Sequence, residues 1–122
     1  MHLKVVAARA RGDASQELVR LEAVEACDLA DYILADCTYD SKGTTSNLHR
    51  HTFWFPPTTV AKGDRVVLLT GKGKDATTRE AGEPAEHRFY WGLSAAVWND
   101  DGDKVTLIRI AAHKSVGFAR KA

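Results

Sequence analysis

The chain of 122 residues has little of what marks the special classes of protein. Its two cysteines, Cys27 and Cys37, are too few for a disulfide-stapled scaffold, and their spacing fits neither a CxxC pair nor half of a zinc site. Two reduced, partly buried thiols are the plain expectation and a local disulfide is the other. Charge of one sign is missing too. The 17 Lys and Arg residues nearly cancel the 16 Asp and Glu, so no global field draws the protein to nucleic acid or anionic lipid. No stretch approaches the roughly 18 consecutive apolar residues of a membrane-spanning helix. The opening "MHLKVVAARARGDA" is broken by Arg9 and Arg11, leaving an apolar segment too short for a secretory signal. A cytoplasmic protein is expected unless a leader has been removed. Neither a low-complexity tail nor an internal repeat of about 20 to 50 residues is found, which points to a single domain over residues 1–122.

What is present is ordinary for a folded domain. Hydrophobic residues make up 44% and charged ones 27%, too apolar a balance for disorder. A chain of this size buries about two thirds of its unfolded surface. "LKVVAARA" (3–10) reads as an edge or opening strand. "SQELVRLEAVEACDLADYILADC" (15–37) is ambiguous in its first half. Ser15 with Leu18, Leu21 and Val24 has a cap and near-helical spacing, whereas Val19, Leu21 and Ala23 also alternate with Arg20 and Glu22. Propensity alone leans to a helix there. "DYILADCTYD" alternates, "SKGTTSN" is a polar loop, and "HRHTFWFPP" is a β-rich run ended by Pro56 and Pro57. A turn at Lys62-Gly63-Asp64 precedes a short buried strand, "RVVLL". "KDATTREAGEPAEH" reads as a long surface loop, followed by "RFYWG", "AAVW", the turn "NDDGD", "KVTLIRI" and a last short strand near "SVGF". Strand-like runs separated by turn signals favour an all-β sandwich or barrel.

Several of these residues, in this order, resemble the lamin-tail domain family in its bacterial form. They are Phe55-Pro56, Val60 with Gly63, Thr70-Gly71-Lys72-Gly73, Tyr90-Trp91-Gly92, Val97-Trp98-Asn99 and Gly102-Asp103. The match is good over residues 53–110 and looser before that, where Asp28-Leu29-Ala30-Asp31-Tyr32 stands at a family corner that is usually small-Gly-aromatic and here departs from it with Ala30-Asp31-Tyr32. The resemblance implies an immunoglobulin-like β-sandwich of about seven to nine strands, and it overturns the helical lean for residues 17–25. It also implies a non-catalytic module that contacts proteins or nucleic acid, and in bacterial members is often attached to other domains. The long loops before His51 and over residues 75–87 depart from the family, and loops are where a sandwich carries what is specific to it.

The chemistry-bearing residues are weighed on this frame. Asp101 and Gly102 suit a tight hairpin turn, and "NDDGD" runs into a strand without the regular oxygens and terminal Glu of a calcium loop. Trp91 and Trp98, with Phe53 and Phe55, are expected to pack the core, each Trp burying about 150 to 250 Å²; ligand stacking is the other reading. Tyr90, next to Trp91, would point to the opposite side of an extended strand. His49 and His51, at i and i+2, face one side of a strand and would chelate zinc or copper if a third ligand joined them, with His87 the distant candidate. "LLTGKGKD" lacks the spacing of a phosphate loop and reads as a strand end with two glycines in unusual backbone conformations. Ser94 stands in no nucleophile elbow. No enzyme and no cofactor are expected. Lys72, Lys74, Arg79 and Arg88 around the long loop, with Lys114, Arg120 and Lys121 near the C-terminus, would contact a phosphate backbone if gathered at one end, although Glu80, Glu83 and Glu86 interleave with them. The expected partner is a protein, met by self-association or by pairing at an exposed sheet edge. Nucleic acid and a metal are the lesser readings, and no membrane is expected.

Overall fold

The computed structural model describes residues 1–37, 51–98 and 104–119. Ten strands are found among them: β1 (Leu3–Arg9), β2 (Leu18–Ala23), β3 (Cys27–Asp28), β4 (Tyr32–Cys37), β5 (Thr52–Trp54), β6 (Thr59–Val60), β7 (Arg65–Leu69), β8 (Ala76–Thr78), β9 (Glu86–Tyr90) and β10 (Lys104–Arg109). A five-stranded sheet runs β1-β2-β7-β9-β8, a three-stranded sheet runs β10-β4-β5, and β3 pairs with β6. The protein is an all-β sandwich. The strand count exceeds seven to nine because β3 and β6 are only two residues each.

Alternation decides the faces. In β2, Val19, Leu21 and Ala23 are buried while Leu18, Arg20 and Glu22 are partly exposed, so the ambiguous segment is a strand. Its helical spacing loses to the sheet because β2 pairs along both edges, with β1 and β7, while Val19, Leu21 and Ala23 join the core. Strand β7 is central and buries Val66, Val67 and Leu68 in a row, as a strand covered on both faces should. Leu34 and Phe55 close the core from the other sheet. The rings interlock edge to face, Phe53 to Phe55 at 5.1 Å and Phe55 to Phe89 at 5.4 Å, pairs worth about 0.5 to 1.5 kcal/mol beyond their buried area.

The stretch from Arg88 to Ile110 is not a hairpin. Strand β9 belongs to the five-stranded sheet and β10 to the three-stranded one, where it pairs with β4. The chain therefore crosses between the layers, and Trp98, buried in the core, lies on the crossing rather than on a strand. The turn residues Asp101 and Gly102 lie outside the described residues. The polar stretch read as a loop contains β8, which pairs antiparallel with β9; its Ala76, Thr77 and Thr78 are exposed, which hid it from any hydrophobic pattern. Strand β9 also pairs parallel with β7, and parallel neighbours need a crossover of a dozen or more residues; the long segment before β9 provides it. Around "SVGF", by contrast, no strand forms.

Glycines 71 and 73 have a different reason from the one expected. Neither has positive φ. Instead a Cβ on Gly71 would stand 2.9 Å from the Ala14 carbonyl oxygen, and one on Gly73 would collide with the Tyr90 ring. The backbone at Gly73 passes directly under the Tyr90 ring. Gly73→Ala is thus an overpacking change, expected to cost about 1 to 3 kcal/mol and to shift the Tyr90 ring resonances. Unchanged Tyr90 resonances and midpoint in denaturant melts of both proteins would disprove it.

Candidate interaction surface

Among the described strands, β5 carries the most exposed large apolar ring. Phe53 faces the core and Phe55, just past the strand, is buried, so period two turns Trp54 outward, where it is 46% exposed. The ring is nevertheless held in place. Its indole N–H donates to the Ala30 carbonyl at 2.7 Å, and His113 packs against it edge to face at 4.7 Å. Ala30 is positioned by a single 3-10 turn, Leu29–Asp31, which Asp28 caps by accepting from the Ala30 N–H. The Asp28 carboxylate also accepts from Thr58 N, so it joins the turn to the chain beyond Pro56 and Pro57. Ala30, Trp54, Phe55, Pro56, Pro57 and His113 enclose an apolar cleft of about 440 Å³, within the roughly 300 to 1,000 Å³ of ligand pockets. Asp28 and Asp31, near Ala30 in sequence, are both exposed. Burial, and behind it the Asp31 and Asp28 carboxylates, raise the nearby Cys27 thiol above its ordinary value, while Arg109 opposes them. Cys27 is a free, half-buried thiol and is not activated.

The residues singled out from sequence fall in several places. Trp98 and Phe55 are core, and Trp91 and Phe53 pack against it. Tyr90 and Trp91 are both half-buried. His51 is tied to a buried carboxylate: its N–H donates to Asp36 at 2.6 Å, its Nδ1 lies 3.3 Å from the other Asp36 oxygen, and its ring packs on Trp91. His49 lies outside the described residues. The third metal candidate, His87, is on β9, 4% exposed and committed elsewhere. No group of three or more His, Cys, Asp or Glu side chains able to hold a metal is found among the described residues. Lys72, Lys74 and Arg79 are exposed, and Arg88 is half-buried opposite Ala76. Glu80, Glu83 and Glu86 share with Arg65 a polar cleft next to Arg79, so the loop surface carries both signs. Arg120 and Lys121 lie outside the described residues, and Lys114 is exposed. No helix among the described residues is long and apolar enough to cross a membrane.

Two buried polar networks had no signal in the sequence reading. Glu17, fully buried, accepts from Gly12 N and Trp98 N on one oxygen and from Thr70 Oγ1 and Val97 N on the other. Asp64 accepts from Ala61 N and Ala85 N, and lies 3.0 Å from Nε2 of His87. Nδ1 of that ring is 3.0 Å from the Thr77 hydroxyl. With the ring neutral, Nε2–H donates to the carboxylate and Thr77 donates to Nδ1. Burial pushes the Asp64 carboxyl up, but the His87 hydrogen bond and the two backbone N–H groups outweigh it and hold it below the ordinary value. A hydroxyl, imidazole and carboxylate in series have the parts of a proton relay. Here both ring nitrogens are engaged within the sheet, and neither is presented to a cleft.

Compared with known proteins, the sequence matches no family model and no curated protein.

Proposed function

We propose that the domain is a non-catalytic interaction module that binds a protein partner through the Trp54 cleft. The observation that carries this is an exposed indole immobilised by the Ala30 carbonyl over an apolar, proline-walled cleft. A ring fixed before binding loses little entropy when a partner covers it, and Trp is enriched among residues that dominate binding energy. The resemblance to lamin-tail domains supports a module of the same kind, by analogy of fold rather than of site. Sheet edges support it too: β1 is an edge strand with exposed Val5 and Val6, available for pairing with another chain. The competing nucleic-acid reading rests on Lys72, Lys74 and Arg79, whose charge Glu80, Glu83 and Glu86 offset nearby.

The test is quantitative cross-linked capture from the cells that make the protein, using the wild type, Trp54→Ala, and a variant with Lys72, Lys74 and Arg79 all changed to Ala. Trp54→Ala should lose the captured protein at least tenfold while its melting temperature stays within a few degrees, because the ring is half in solvent. The triple variant should capture as the wild type does. Capture that ignores Trp54, or that disappears with the triple variant and with nuclease, would remove the cleft as the binding surface.

A further inference from the structure

The outer face of the five-stranded sheet carries two arginines without partners. Alternation fixes the side to which they turn. In β2, Val19 and Leu21 belong to the core, so Arg20 between them faces the other way. In β9, His87 and Phe89 are buried, and Arg88 between them faces outward too. Strand β7 places a hydrophobic residue on that face: Val66 and Leu68 join the core, whereas Val67 does not. The register sets the three side by side, Arg20 opposite Val67 and Val67 opposite Arg88. Neighbouring strands are about 4.8 Å apart, so the two arginine backbones stand roughly 10 Å apart with Val67 midway.

Val67 is nevertheless only 4% exposed, and the side chains beside it on this face are those of Arg20 and Arg88. Their aliphatic stems cover it and leave the charged heads at the surface. The low path of the Arg88 stem is visible at its Nε, which is buried and has no hydrogen-bond partner. Both arginines are half-buried. Neither guanidinium makes a hydrogen bond or an ion pair with a described residue. The acids of this face, Glu22 and Glu86, stand one row away on either side of Arg65, and Glu22 is engaged by Lys4 at 3.8 Å. An orphaned, buried N–H next to a second unpaired cation is unfavourable on its own. An anion between the two heads removes both costs.

We propose that Arg20 and Arg88 form an oxyanion site over Val67, and that its ligand is a phosphate dianion, free or as a phosphomonoester. Two guanidinium forks offer more donors than one carboxylate can satisfy with good geometry, and phosphate oxygens match such forks. Charge points the same way: a phosphomonoester carries about 1.5 to 2 negative charges at neutral pH, against the two positive heads. A phosphodiester or a carboxylate brings one charge only. On the far side from Glu22 and Glu86, the next row of this face holds Leu18, Leu69 and Tyr90, all half-buried. That row gives the organic part of a monoester a largely apolar surface to lie on. Trp54 belongs to the other sheet, so this site stands or falls apart from the Trp54 cleft.

The experiment follows the arginine Nε–H resonances of the isotope-labelled full chain while inorganic phosphate, phenyl phosphate, dimethyl phosphate or acetate is added at neutral pH and constant ionic strength. The Arg20 and Arg88 signals should move to saturation with inorganic phosphate or phenyl phosphate. Dimethyl phosphate and acetate should bind about fivefold more weakly or worse, having one charge each. Arg20→Lys and Arg88→Lys keep a charge and an aliphatic stem over Val67 but lose the fork. Each should melt near the wild type and weaken phosphate binding about fivefold or more. Arg79→Lys and Trp54→Ala should bind phosphate as the wild type does. Equal affinity for the two phosphates assigns the site to free phosphate, and tighter binding of phenyl phosphate assigns it to a monoester. Shifts that never saturate, or that acetate reproduces at the same concentrations, overturn the proposal, and this anion series needs only the wild type. Phosphate binding that survives both Lys substitutions overturns it as well.

Discussion

Glu17→Ala should be among the most damaging single changes in the molecule, costing about 3 kcal/mol or more, because several buried donors lose a charged acceptor at once. Three backbone N–H groups and one hydroxyl converge on this carboxylate, at distances from 2.5 to 3.2 Å. They come from the β1–β2 turn, the end of β7 and the crossing segment before β10. Removing the acceptor leaves these donors buried without it, at about 1 to 3 kcal/mol for each group that finds no replacement. Arg11 Nε, which donates to the Trp98 carbonyl at 2.9 Å, clamps the same turn to the same segment. The Trp98 indole should therefore report the loss. Glu17→Gln is the informative companion. Its oxygen can keep Gly12 N and Trp98 N while its amide group faces Thr70, whose hydroxyl rotates to accept. Only Val97 N then loses its partner, so a smaller cost of about 1 to 3 kcal/mol is expected. Urea denaturation of the three proteins, followed by near-ultraviolet circular dichroism, checks the order. Equal stability of Glu17→Ala and the wild type would show that these donors are satisfied in another way.

Asp64→Ala should cost about 3 kcal/mol or more at neutral pH by the same argument, since Ala61 N, Ala85 N and His87 Nε2 all lose their acceptor. Asp64→Asn should cost less, about 1 to 3 kcal/mol, because its oxygen can keep Ala85 N and the imidazole can change tautomer to accept from the amide. This site also predicts a pH dependence. The Asp64 carboxyl titrates below its ordinary 3.8 in the folded protein. A group depressed in this way stabilises the fold above its unfolded value, and that stability is lost as pH falls through the folded value. The gap between wild type and Asp64→Asn should accordingly narrow below about pH 4, as the carboxylate takes up its proton. Melts at several pH values measure the gap directly. A gap that widens on acidification would mean that the carboxylate is not the form the fold prefers.

How far these sites were legible follows from where their partners sit. The buried run of β7 can be read locally as a continuous apolar stretch, whereas β2 offered helical and alternating spacing together, and its pairing with β1 and β7 decided between them. Trp54 was missed, although period two would have found it, since Phe53 and Phe55 as core residues force the side chain between them outward. Strand β8 was not legible, because Ala76, Thr77 and Thr78 are all exposed and the strand exists only through its pairing with β9. The stretch from Arg88 to Ile110 read as a hairpin because two strand-like runs flank a turn signal. Nothing local says that its second run pairs instead with β4. Nor does anything near Glu17 distinguish it from Glu22 or Glu25, because its partners Thr70, Val97 and Trp98 are 53, 80 and 81 residues away.

The sequence by itself determined that this chain is all-β, which residues of its clearest strands turn inward, and that a turn falls at Gly63. Such properties depend on backbone sterics and on the spacing of apolar side chains, both set within a few residues. Only the tertiary structure decided which carboxylates are buried, why Gly71 and Gly73 must lack a side chain, and that Trp54, the two prolines and His113 share one cleft. Those outcomes depend on which segments the packing of the two sheets brings into contact, and desolvation then makes each buried polar partner obligatory.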